Sequence, residues 1–378
     1  MTRHFASTAT ATVALATACA AHTPPAVARR SVTVDVARTE STEIRAVRQL
    51  WESYLASKAG RLVANASAAS TPWSAAEQRR WPLYDLAGSY VPDGAAVRAL
   101  ELRSTGGASH EYEIVTEFRD DPSGSAAITT TVYATREDGR WVLANALPRN
   151  TVRWSRKTVA PIHYFIEPGL TFDSARAARA ATFVDSLADA LDVPRVDSLD
   201  YYVASSVDAA LNALGVRYPV RYGPNGGFSK PVDHQVFSGN PALGENYRHE
   251  LTHVVVLPLL ARGTTTLLAS EGLSTWLGGT EGADFRGSVR SLARFLAAHP
   301  SVTLDSVMNA PSTPQAVRYA SGAVLCMMVS DAGGISAVER FLQASAPDVR
   351  AVLAQQLQRP WANVAQDWRR TVDRLASP

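Results

Sequence analysis

Two histidines one helical turn apart constrain this chain more than any other feature. In Arg248-His249-Glu250-Leu251-Thr252-His253, positions i and i+4 fall on one face of a helix, so His249 and His253 can aim ring nitrogens at a single metal ion. Glu250 is rotated about the axis and stands beside the ion's open position. Three protein ligands and a water make a catalytic zinc site, whereas four close it, so a third ligand is expected downstream. Glu271, in Leu267-Leu268-Ala269-Ser270-Glu271-Gly272-Leu273-Ser274-Thr275-Trp276, is the candidate. The histidine helix should stop near Leu257, before Pro258. A second should begin after the Gly263-Thr264-Thr265-Thr266 turn and end at Gly278-Gly279. An antiparallel return then brings His253 and Glu271 level.

These two motifs resemble those of the gluzincin metallopeptidases, which pair His-Glu-x-x-His with a later Glu. The likeness is to the bacterial peptidase MA-like domains, whose third ligand sits in a Glu-Gly-Leu-Ala-like segment on the next helix; thermolysin and the zinc aminopeptidases are more distant. The resemblance covers residues 157–378. It implies a zincin-like fold, Zn2+ held by His249, His253 and Glu271, a peptide or protein substrate, and peptide-bond hydrolysis with Glu250 as general base. Zinc aminopeptidases also carry a Tyr-x-x-Gly segment whose tyrosine helps hold the oxyanion, and Tyr319-Ala320-Ser321-Gly322 has that spacing. A buried core tyrosine is the competing account of Tyr319. Here 17 residues separate His253 from Glu271, slightly fewer than in either relative, and Thr275 stands where thermolysin has a histidine-buttressing Asp. The chain lacks a Gly-x-Met-Glu-Asn segment, which favours endopeptidase over aminopeptidase.

The rest of the chain implies an α+β protein of two domains. Residues 1–19 join Arg3 and His4 to a weakly apolar Ala/Thr/Val stretch ending at Cys19, suited to a bacterial export peptide and too short to span a membrane. The small residues before Cys19 resemble a lipoprotein cleavage site, which implies a lipid anchor on that cysteine; plain secretion or a disordered tail is the alternative. Residues 20–40 read as a flexible tether. With Cys19 acylated no internal disulfide can form, and Cys326, in an apolar helical run, reads as a buried inert thiol.

A first domain is expected over 41–156. Ile44, Val47, Trp51, Tyr54 and Leu55 repeat at helical spacing. Strand-like runs follow at Glu111–Phe118 and Ala127–Thr135, then an Asp138-Gly139 hairpin into Arg140–Ala144. This order resembles the cystatin-like or nuclear-transport-factor-like (NTF2-like) α+β cone, which implies either a small-ligand pocket or a packing module. His110 reads as a solvated loop residue.

From residue 157 onward, a strand at Ile162–Ile166, a helix over Ala175–Leu191 and a strand at Asp200–Ala204 indicate a sheet packed on helices. Residues 223–231 read as loop. Val232–Ser238 is the candidate edge strand for a substrate backbone, with an interior strand as the alternative. Three polar side chains have open readings. His234 is a cleft residue or a bystander, His163 faces a neighbouring strand or solvent, and Glu245 orients a histidine or favours a helix N-terminus. A helix is expected at Val289–Leu296, and Trp361 and Trp368 belong to closing helices of the core.

Net charge is +2, with 37 basic and 35 acidic residues, and no basic cluster argues for nucleic acid. An exported scaffold lipoprotein with structural zinc is the rival class. It predicts a stoichiometric metal without peptidase activity.

Overall fold

The computed structural model describes residues 41–58, 72–80, 87–91, 95–106, 111–119, 127–219, 222–223, 225–260, 265–310 and 312–377. The export segment, the tether, Cys19, His110 and the Gly263-Thr264 part of the expected turn lie outside the described residues.

Helical spacing in α1 (Thr42–Lys58) places Val47, Trp51 and Tyr54 on one buried stripe. After α2 (Ala75–Arg80) come β1 (Ala96–Ser104), β2 (Tyr112–Arg119), β3 (Ala127–Glu137) and β4 (Arg140–Asn145), an antiparallel meander. Asp138 and Gly139 both take positive φ, 51° and 78°, in the last hairpin, the geometry that Asp-Gly favours. Nothing in the residue pattern anticipates β1. Its Ala, Leu, Glu and Arg prefer helix, and pairing with β2 along its length overrides that preference. Trp51 donates its indole N–H to Thr116 at 2.8 Å, so the inner face of this sheet is filled by α1.

After α3 (Leu147–Asn150) come β5 (Ser155–Val159), β6 (Ile162–Ile166), α4 (Ser174–Leu191), β7 (Leu199–Val203), α5 (Val207–Leu214), β8 (Val216–Arg217), β9 (Gly227–Lys230) and β10 (Gln235–Ser238). Of these, β5, β6, β7, β9 and β10 form the second sheet. The strand order is β5-β6-β7-β10-β9, with β6, β7 and β10 parallel and β5 and β9 antiparallel at the two ends. Among the described residues seven α-helices follow: α6 (Arg248–Val255), α7 (Leu267–Gly278), α8 (Phe285–Ala298), α9 (Leu304–Asn309), α10 (Gln315–Leu342), α11 (Val349–Gln356) and α12 (Trp361–Ala376). The architecture is α+β, with two five-stranded sheets among the described residues.

The expected edge strand at Val232–Ser238 is overturned. β10 pairs with β7 on one side and β9 on the other, so it is interior. The edge is β9, in the segment read as loop from its glycines. Gly227 belongs in that strand because a Cβ there would lie 2.5 Å from the Phe237 carbonyl oxygen and 2.9 Å from the Tyr247 ring.

The second sheet buries both faces. Ile162, Tyr164, Tyr201 and Val236 pack on the helices carrying the candidate site. On the other face Phe165, Tyr202, Phe237 and Phe228 occupy one register across four strands, with successive rings stacked at 4.6, 4.6 and 4.7 Å. This aromatic row belongs to the same core as Val47, Trp51 and Phe118. β8 pairs with β3, adding a strand from beyond residue 157 to the first sheet, and Arg80 bridges to Asp200 at 2.7 Å. A division at 156/157 falls inside β5.

Candidate metal centre

α6 begins without a side-chain cap of its own. The Tyr201 phenol replaces one: its oxygen accepts the Tyr247 N–H at 2.9 Å and its hydroxyl donates to the Gly244 carbonyl at 2.7 Å. The helix is thereby fixed to the sheet, and His249, Glu250 and His253 are only 3%, 7% and 9% exposed. α7 starts at Thr266, whose side chain accepts the Ala269 N–H, and runs back along α6 to Gly278.

Glycines set the approach of α7 to its neighbours. A Cβ at Gly278 would sit 2.6 Å from the Arg248 carbonyl, so the end of α7 touches the start of α6 backbone to backbone. A Cβ at Gly272 would sit 2.4 Å from the Gly322 carbonyl carbon, and one at Gly322 would sit 2.0 Å from the Leu268 carbonyl oxygen. Gly272 follows Glu271 and Gly322 lies one turn after Tyr319, so these contacts bring the two candidate side chains within hydrogen-bond reach.

The result is a compact donor set. Nε2 of His249 lies 3.0 Å, and Nε2 of His253 3.5 Å, from the same Glu271 oxygen. The three ligand atoms all lie within 4.8 Å of one another. Donors about 2.0–2.2 Å from one zinc ion at tetrahedral angles lie about 3.3–3.5 Å apart. Two imidazoles and a carboxylate at these separations fit zinc.

Each histidine is oriented from behind. His249 Nδ1–H donates to the Gly279 carbonyl at 2.7 Å, which leaves Nε2 for the donor set. Gly279 aims that carbonyl from φ 77°, and a Cβ there would meet the Ala283 carbonyl oxygen at 2.3 Å. His253 Nδ1 pairs with the Ser274 hydroxyl at 3.2 Å. Thr275 is buried with its hydroxyl unbonded among the described residues. Sequence pattern alone does not mark Ser274 or Gly279 for this part: the Gly-Gly pair reads as a helix stop, and a serine three residues after Glu271 carries no distinctive signal.

Without metal the charges compensate. Burial pushes the His249 imidazole down, but its hydrogen bond to Glu271 and the charges of Glu250 and Glu271 outweigh that and raise its pKa to about 9. Burial pushes Glu271 up, and the two histidines more than reverse it, holding the carboxyl well below its ordinary range. Tyr319 stacks on His249 at 5.9 Å with 14° between planes, hydrogen bonds Glu271, and accepts the Gln315 amide N–H. Burial first, then the Glu271 charge, raises its phenol far above the ordinary value, so it stays protonated and able to donate.

The structure thus brings together His249, Glu250, His253, Glu271 and Tyr319. It does not bring in His234, which is exposed before β10 with Nδ1 3.2 Å from the Ser198 carbonyl. His163 pairs with Thr158 at 3.3 Å. Glu245 accepts the Asp173 N–H at 2.9 Å and holds the start of α4, so it orients no histidine. Cys326 is fully buried, its thiol pushed far up by burial. Trp368 is core, and Trp361 donates to Asp305 at 3.1 Å. No protein-family model and no curated protein matches this chain.

Proposed function

We propose that the chain is a zincin-like zinc metallopeptidase of gluzincin type, acting on peptide bonds within extended segments. The observation that carries this reading is the triad of His249, His253 and Glu271 donor atoms within 4.8 Å of one another. Among the described residues that cluster holds three protein donors and does not include Glu250. A structural zinc site uses four protein donors and a catalytic one uses three, which favours a hydrolase over a scaffold.

His249, His253 and Glu271 would hold a zinc ion, which would supply Lewis acidity and lower the pKa of a water bound there to about 7. Glu250, buried beside the histidines, takes the proton of the attacking water and returns it to the leaving amine. Tyr319 donates its phenolic proton in a hydrogen bond to the oxyanion that forms at the peptide carbonyl. With β9 at the sheet's end, an extended substrate adds its backbone along Gly227–Lys230.

Glu250→Gln tests the assignment. The variant is expected to bind one zinc per chain, by metal analysis, and to lose essentially all cleavage of a peptide library. Cleavage at the parent rate would refute the base. Parent protein that cleaves nothing, with or without chelator, would leave the zinc-scaffold reading standing instead.

A further inference from the structure

The short turn Gly88–Tyr90 reaches from the first sheet's unit onto the edge strand of the second. The Lys230 ammonium, in a side chain only 6% exposed, donates to the Ser89 hydroxyl at 2.6 Å and lies 5.3 Å from the Tyr90 ring centre. Tyr90 meets Phe228 edge to face at 5.9 Å. Phe228 and Lys230 are alternate residues of β9 and share one face, so this turn is docked on the sheet at two points.

The same strand rests on the metal-site helix. Gly227 lies against the Tyr247 ring at the start of α6, and the turn Pro231–Asp233 after β9 also packs on α6. Tyr90 therefore stands across one strand from the helix that carries Glu250. Burial raises its phenol well above the ordinary value, and the charges of Tyr218, Glu250 and Asp233 add to the rise. A peptide laid along the outer edge of β9 projects alternate side chains to the face shared by Phe228 and Lys230. On that face they meet Tyr90.

Resting on the peptidase reading above, we infer that the N-terminal unit supplies one wall of the peptide cleft, with Tyr90 as its specificity-determining side chain. The geometry selects a segment carrying an aromatic or large apolar side chain at the position beside Tyr90, packed on that ring as Phe228 is. The first unit is then part of the substrate site.

The test is peptide binding without turnover. A fluorescent nonapeptide series, with Phe scanned through an alanine background, is titrated by anisotropy onto zinc-loaded Glu250→Gln protein with Tyr, Phe, Leu or Ala at position 90. One scan position is expected to favour Phe over Ala by about three- to tenfold with Tyr90, the worth of one aromatic pair. That preference should persist in Tyr90→Phe and vanish in Tyr90→Ala, with melting temperatures close to the parent's. An unchanged preference in Tyr90→Ala, or uniform weakening at every scan position, overturns the inference. If Tyr90→Ala does not fold, Tyr90→Leu decides by the same criterion. A Tyr90 protein that binds none of the series overturns the peptidase reading and this one with it.

Discussion

Adding a single methyl group at Gly322 should disable the proposed metal site without touching any of its three donor residues. The new Cβ would lie 2.0 Å from the Leu268 carbonyl oxygen and 3.0 Å from the Gly272 Cα, where ordinary contact begins at 3.4 Å. Relief requires α7 and α10 to separate by 1.4 Å, the difference between 3.4 and 2.0 Å. Alanine's better helix propensity returns about 1 kcal/mol, against about 3 kcal/mol or more for overpacking a backbone contact, so the fold should lose about 2 kcal/mol. Binding suffers more than stability. Glu271 precedes Gly272 on the displaced helix, and its oxygen now sits 3.0 and 3.5 Å from the two imidazoles. A shift of that size takes one donor out of the tetrahedron, and zinc affinity should fall at least as far as on loss of a supporting residue, about 10–100-fold. Competition against a zinc chelator, with thermal melts on the same samples, measures both effects. Gly322→Ala protein that binds zinc within twofold of the parent would show that this contact does not position Glu271.

Three further outcomes follow. Ser274→Ala removes the hydroxyl behind His253, and zinc affinity by chelator competition should drop about tenfold with the melting temperature nearly unchanged; no drop would deny Ser274 its orienting part. In chelator-treated protein the raised His249 pKa stabilises the fold fully below its ordinary 6.5 and loses that contribution as pH rises through about 9, while the lowered Glu271 pKa stabilises above 4.5 and fades only as pH falls through its depressed value. Melts of metal-free protein should therefore weaken from pH 6.5 to 9 relative to a Glu271→Gln control, whereas zinc-induced stabilisation grows as the imidazole proton leaves; the opposite slopes would refute the ion pair. A chain cut to residues 157–378 uncovers the Phe165, Tyr202, Phe237 and Phe228 row, rings of about 150–250 Å² each when buried, and should associate in sedimentation runs. A monomeric, cooperatively melting fragment would show that the two units are separable.

Much of the candidate site was legible because its geometry is local. The i, i+4 spacing of His249 and His253 places both rings on one face wherever the helix lies. Pro258 and Gly278-Gly279 mark helix ends by backbone chemistry alone, and the observed α6 and α7 end where those residues require. The Asp138-Gly139 hairpin was legible for the same reason. β1 was not, because Ala96–Ser104 is composed of helix-favouring residues and becomes a strand only by pairing with β2.

By itself the sequence determined which donor atoms are available and how they repeat along one helix. Only the tertiary structure decided their setting: that Gly279 and Ser274 back the histidines, that β9 and not β10 forms the sheet's edge, and that Tyr90 docks beside it. Those partners lie 21, 30 and 141 residues apart in the chain for Ser274–His253, His249–Gly279 and Ser89–Lys230. Periodicity reports which face of its own element a side chain occupies. It carries no information on which distant backbone carbonyl, hydroxyl or ring will be packed against that face.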